Sequence, residues 1–202
     1  MKRSTIILII LGLFIACAGM NGCSTYNSLV ESREQVRKEW QNVEAAYQLR
    51  LDKIPNLVAT VQGQADFEKS TLEAVINARA SATQVKISPE NLNEQSMKEF
   101  QSAQNNVSSA LGRLLVVAES YPTLQTNGGF TELRAEISET ENMIKKARTD
   151  YNELTGTYNT SVQKFPRNIW AGIFGFEKMP YFEADAGAEK APKVEFDFKD
   201  GK

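Results

Sequence analysis

Apolar residues recur every three or four positions from residue 29 to residue 165 with few interruptions, and that period admits one kind of element, a helix with a single buried stripe. The first stripe is Leu29, Val36, Trp40, Val43, Tyr47, Leu51 and Ile54, after which Pro55 intervenes. A second stripe follows at Leu57, Val61, Ala65, Leu72 and Val75, with Glu68 and Arg79 in the same phase, and it fades before Ile87-Ser88-Pro89. Pro89 suits the first position of a new helix, with Glu90 and Glu94 near the positive end of its dipole. That third stripe is Met97, Phe100, Gln104, Val107, Leu111, Leu114, Ala118 and Tyr121, and Glu119 lies beside it. The fourth runs Phe130, Leu133, Ile137, Ile144, Tyr151, Thr155, Tyr158, Val162 and Phe165, carries Glu141 and Arg148 on the same seam, and stops at Pro166.

Proline removes a hydrogen bond inside a helix, so Pro55 is either a kink or a tight reversal. A reversal divides the chain into helices at about 26–53, 55–83, 89–121 and 129–165, each roughly 40 to 55 Å long. Comparable lengths predict an all-α fold, a four-helix up-and-down antiparallel bundle over residues 24–165. The alternative, three long helices with the first kinked at Pro55, leaves the first helix overhanging its partners with its stripe in water. Residues 166–182 are apolar but short and glycine-bearing, and are expected to pack back onto the bundle; the functional reading of 169–176 is a docking patch for a membrane protein or a bilayer interface. Residues 183–202, rich in alanine, lysine and acids, read as a disordered tail in which Val194-Glu195-Phe196-Asp197-Phe198 alternates like a strand.

The N-terminus reads as an export segment. Lys2 and Arg3 precede an apolar run over residues 5–20, and positive charge there holds the N-terminus in the cytoplasm and places the bundle outside. About 16 residues span roughly 24 Å, short of the ~30 Å hydrocarbon thickness. Residues 1–23 are therefore expected to be either a signal peptide ending at a lipid-modified Cys23, as Met20-Asn21-Gly22-Cys23 suggests, or an uncleaved single-pass signal anchor. Cys17 is the lesser candidate for lipid attachment, because cleavage there strands Met20 and shortens the hydrophobic region.

Composition excludes several chemistries. The 202 residues contain no histidine, which removes the commonest general base and metal ligand. Both cysteines, Cys17 and Cys23, lie in the export segment, so the folded region holds neither a disulfide framework nor a thiolate metal site. A net charge of −2 without a basic block gives no footprint for nucleic acid.

The stretch Arg50-Leu51-Asp52-Lys53-Ile54-Pro55-Asn56-Leu57-Val58 resembles the central block of the LemA family of bacterial membrane proteins. Further blocks agree in order: Tyr26-Asn27-Ser28-Leu29-Val30, Ala78-Arg79-Ala80, Ala118-Glu119-Ser120-Tyr121-Pro122, Thr140-Glu141, Ala147-Arg148-Thr149-Asp150-Tyr151-Asn152, Tyr158-Asn159 and Phe165-Pro166-Arg167-Asn168. The resemblance implies a helical bundle beside an N-terminal membrane segment, in a family without an established biochemical activity, and it supplies no catalytic residues. The family's usual anchor is a longer uninterrupted helix, which Asn21, Gly22 and Cys23 break here; Lys53 and Gln64 also stand where a more apolar and an aromatic residue are expected.

Glu68, Arg79, Glu119, Glu141 and Arg148 remain as charges on or beside the seams. A di-iron site needs histidines the chain lacks, and a calcium or magnesium site from the three glutamates is disfavoured by two arginines in the same seams. The expectation is a buried ion-pair network that fixes helix register, with no metal and no cofactor. Tyr151 and Tyr158, seven apart, are expected to bury their rings while each hydroxyl finds a partner. The reading that follows is a non-enzymatic scaffold at the membrane that binds other envelope or membrane proteins; the alternative is a small-ligand or ion-binding bundle using the charged seam.

Overall fold

The computed structural model describes residues 3–64 and 67–183, with side chains described at position 12 and from 19 onward. The side chains of most of the apolar run at 5–20, including Cys17, the tail from 184 and its strand-like stretch at 194–198 lie outside the described residues. Among those described the fold is all-helical, without strands: α1 (Arg3–Gln62), α2 (Lys69–Gln84), a 3₁₀ turn (Pro89–Asn91), α3 (Glu94–Ala118), α4 (Pro122–Gln125), α5 (Gly128–Gln163) and α6 (Arg167–Ile173).

The expected division at Pro55 is not observed. Pro55 lies inside α1, a single helix of 60 residues, and the chain reverses only after Gln62. The physical reason is a repair of the proline's defect. Pro55 has no N–H to donate to the carbonyl of Leu51, one turn earlier. The Nε of Arg79, reaching across from α2, donates to that oxygen at 2.8 Å. The orphaned acceptor is satisfied from outside the helix, so α1 continues with its stripe intact: Leu51, Ile54, Leu57, Val58 and Val61 are all buried. α2 is correspondingly shorter than the expected 55–83.

The other boundaries follow local chemistry. α3 begins at Glu94, because Asn93 and Ser96 form a reciprocal cap: Asn93 Oδ1 accepts from the Ser96 N–H at 3.0 Å and Ser96 Oγ accepts from the Asn93 N–H at 3.1 Å. Pro89 therefore opens only the 3₁₀ turn, and the helix expected at 89–121 occupies 94–118. α5 starts where Asn127 Oδ1 accepts from the Phe130 N–H at 3.1 Å, and it ends just before Pro166.

α1 packs along α5 and α2 along α3. Their apolar faces form two clusters. One, along the middle of α1, joins Leu29, Val36, Trp40, Met97, Phe100, Ile144, Tyr151 and Tyr158 with Ala171, Phe176, Met179 and Phe182 of the C-terminal segment. The other joins Ile54, Leu57 and Val61 of α1 with Leu72, Val75, Val107, Leu111, Leu114, Phe130 and Ile137. Past the end of α2, Ile87 continues the first cluster; its carbonyl accepts from the indole N–H of Trp40 at 3.1 Å. The C-terminal segment completes it: Phe182 stacks on Trp40, ring centroids 5.9 Å apart.

Candidate functional site

The two apolar clusters meet at a polar node. Arg50, 1% exposed, lies three residues after Tyr47 and four before Ile54, so helical geometry turns it inward with the stripe. Its Nη1 donates to Ser108 Oγ and to Glu141 Oε1, both at 2.7 Å, and its Nη2 donates to the Gln104 backbone oxygen at 3.1 Å and side-chain oxygen at 2.6 Å. The Tyr47 ring lies 5.2 Å from the guanidinium carbon. One side chain of α1 thus ties α3 and α5 together. Only Arg's planar fork presents enough donors to hold four acceptors in this fixed arrangement.

The five seam residues do not form the expected network. Glu141 pairs, but with Arg50, and its side chain remains 42% exposed. Arg79 is the partner of the Leu51 carbonyl. Glu68 is exposed at the N-terminal boundary of α2, where its carboxylate accepts from the Thr71 hydroxyl at 2.8 Å. Glu119 is exposed at the C-terminal boundary of α3. Arg148 is half-buried, donates to the Glu183 carbonyl at 2.9 Å and lies over the Phe182 ring at 5.1 Å. The stripe phase overestimates burial at Glu68 and Glu119 because both fall at helix ends, where the period no longer decides which way a side chain faces. A cleft of about 300 Å³ beside the node is lined by Glu44, Gln48, Lys86 and Gln104 among others and by none of the five; burial raises the Glu44 carboxyl above its ordinary range. Cys23 is a free, exposed cysteine.

A second constellation is the clasp that α5 makes on the C-terminal segment. Gly175, at φ 70°, takes the left-handed conformation that turns the chain back after α6. Residues 176–183 then run without helix along α5. Asn159 donates to the Met179 carbonyl and accepts from the Met179 N–H, both at 2.8 Å. Seven residues earlier, Asn152 does the same with Phe182, at 3.0 and 2.9 Å. The tyrosines preceding them donate to the Glu177 and Pro180 carbonyls, each at 2.9 Å, and Gln101 of α3 reaches the Glu183 carbonyl at 3.4 Å. Burial pushes the Tyr151 hydroxyl up to about 12 and raises Tyr158 as well. The paired amides act as two rungs of a sheet-like ladder offered by a helix, which satisfies the backbone of a segment that has no strand partner. The tyrosine hydroxyls are legible from the seven-residue repeat. The asparagines are not singled out by that reasoning, although the repeated Tyr-Asn dipeptide is the available signal.

Apart from the Arg50 Nε, which is buried without an acceptor among the described residues, the polar atoms named in these two constellations bond within the chain. The arrangement holds helices and a C-terminal strap in register.

The model of the LemA family matches residues 39–196, which include the Arg50 node, the Arg79 contact and the Tyr-Asn clasp. Magnetosome protein MamQ 2 of Paramagnetospirillum magneticum is 30% identical over 175 residues, covering 78% of this chain and 64% of that protein. Magnetosome protein MamQ of Magnetospirillum gryphiswaldense is 28% identical over 180 residues, covering 80% and 66%. Protein LemA of Metamycoplasma hominis is 22% identical over 161 residues, covering 78% and 68%. The chain spans just under two thirds of the length of the first of these relatives. With the family match extending over well more than half its length, the chain belongs to the LemA family.

Proposed function

We propose that this chain is a non-enzymatic, membrane-anchored scaffold of the cell envelope, whose helical body binds other envelope or membrane proteins. The observation that carries the reading is the continuity of α1: one helix contains both the N-terminal apolar run and the stripe at the centre of the core. Anchor and strut are then the same element, and the body is held at a fixed height above the bilayer. In this reading α1, α2, α3 and α5 are the four antiparallel members of an up-and-down bundle, and Lys2 and Arg3 set its face outward. Relatives named for the magnetosome support association with a membrane. Among the described residues no helix is long and apolar enough to cross a membrane; the side chains of the apolar run lie mostly outside that set.

Of the two anchoring routes, a structural detail favours the uncleaved helix. Gly22 is buried, and a Cβ built on it would stand 3.0 Å from the Trp170 ring. Cleavage before Cys23 removes this residue from a packed contact. Intact-mass spectrometry of the membrane-extracted protein tests the route: an N-terminus at Met1 without acyl mass is expected, and an acylated N-terminus at Cys23 overturns the uncleaved form. Crosslinking in native membranes tests the scaffold. A reproducible set of envelope or membrane proteins captured by the full chain is expected; capture of none refutes it.

A further inference from the structure

The short C-terminal helix offers a second membrane contact. α6 leans on α1 at the first residues beyond the apolar run: the Trp170 ring covers Gly22, and Tyr26 meets Phe174 and Phe176 edge to face, with centroids 5.1 and 5.7 Å away. Its outer face is apolar and uncovered. Ile169 is 52%, Ile173 65% and Phe165, just before the helix, 75% exposed, and Met20 of α1 is 75% exposed at the same end of the molecule. Isolated exposed apolar residues need no explanation, but a group of this size at one end does.

The apolar run sets the height of that group. At roughly 24 Å, residues 5–20 fall about 6 Å short of the ~30 Å hydrocarbon core, a deficit of about four residues at 1.5 Å each. An anchor that short is accommodated by drawing the following residues, 21–24, towards the hydrocarbon boundary. α6 is packed at positions 22 and 26, so the same adjustment brings its exposed isoleucines to the headgroup and acyl boundary. Trp and Tyr are favoured at that depth, and Lys164, before α6, and Arg167, its first residue, are both exposed and can reach phosphate headgroups.

We propose that α6, with Phe165 and Phe174, is a foot that inserts into the outer face of the bilayer beside α1 and fixes the tilt of the helical body on the membrane. It rests on the anchored reading above, with lipid as the occupant of the apolar face. The foot and α1 form two points of contact, and the strap of residues 176–183 bonded to α5 transmits the position of the foot to the core.

The two tryptophans make this measurable in the full chain. Trp40 is buried in the core, roughly 27 Å along α1 from Gly22, whereas Trp170 belongs to the foot. The chain is reconstituted into phosphatidylcholine vesicles with and without bromine on the upper acyl carbons, and flotation of the vesicles is scored in the same samples. Insertion to the ~5–10 Å depth of an interfacial helix is expected to quench roughly half of the Trp170 emission. The variant Trp170→Phe leaves Trp40 as an unquenched reference. Ile169→Ser with Ile173→Ser is expected to abolish most of the quenching without changing flotation or Tm, since both side chains are exposed. Flotation without quenching overturns the foot alone; crosslinking between Ile173 positions of two copies in that case assigns the face to self-association. Failure to float overturns the anchored reading and the foot together.

Discussion

Replacing Arg79 tests why α1 survives its proline. The guanidinium Nε donates at 2.8 Å to the Leu51 carbonyl, the acceptor that Pro55 leaves without a helical partner. A hydrogen bond from a charged donor contributes about 1.5 to 3 kcal/mol net, and the lower end applies because this contact is part-buried. Arg79→Ala is therefore expected to destabilise by about 1.5 to 2 kcal/mol. In a Pro55→Ala background the restored N–H of residue 55 satisfies Leu51 from within the helix. The same Arg79→Ala change then costs only about 0.5 kcal/mol, a coupling of about 1 kcal/mol in a double-mutant cycle. Urea denaturation of the four proteins, followed by far-UV circular dichroism, supplies the energies. Arg79→Lys keeps the charge but not the planar Nε donor, and is expected to behave like Arg79→Ala. Additive effects, with coupling below about 0.3 kcal/mol, refute the repair of the proline by Arg79.

Arg50→Ala takes a donor from the buried Gln104 side chain and from Ser108 and empties the guanidinium's place in the core, and is expected to lower stability by about 2 to 4 kcal/mol in a chemical denaturation. Glu141→Ala leaves a guanidinium that is 1% exposed with neutral acceptors alone, so about 2 to 3 kcal/mol is expected from the same transition, less than for a fully buried pair because the Glu141 side chain is 42% exposed; a loss below about 1 kcal/mol contradicts Glu141 as the counter-ion of Arg50. Asn152→Ala with Asn159→Ala removes both rungs of the clasp and is expected to raise amide exchange at Met179 and Phe182 at least about tenfold by hydrogen-exchange mass spectrometry, with α2 and α3 unchanged. Tyr151 favours its neutral form in the folded state, so its contribution is complete below the ordinary value of 10 and is lost as pH rises towards about 12. The interval between those values corresponds to roughly 3 kcal/mol, and Tyr151→Phe should flatten the fall of stability between about pH 10 and 12.

The periodicity of the chain carries the fold class because a helical stripe needs nothing beyond its own spacing. Pro55 marks where that reasoning stops: local rules give the cost of a proline but not the arginine 24 positions away that offsets it. Arg79 and the block around Pro55 each carry the resemblance read in the sequence, and the bond from the Arg79 Nε to the Leu51 carbonyl joins them. Arg50 is legible in principle, since its spacing from Tyr47 and Ile54 places it inside the stripe, whereas Glu68 shares a stripe's phase and Glu119 lies beside one, and both stand exposed at helix ends. Charge on a stripe therefore indicates burial only well inside a helix. The strap is less legible still, because an extended segment bonded to a helix by asparagine side chains has no period of its own.

The continuity of α1 through Pro55 to Gln62 is the claim on which the register of the helical body depends. Its most direct test is a spin-label distance between positions 24 and 62 in the full chain reconstituted in nanodiscs, with both native cysteines replaced by alanine. A continuous helix places the two backbone sites roughly 57 Å apart at 1.5 Å per residue. A reversal at Pro55 brings them to roughly 36 Å, and a distribution centred there contradicts the account.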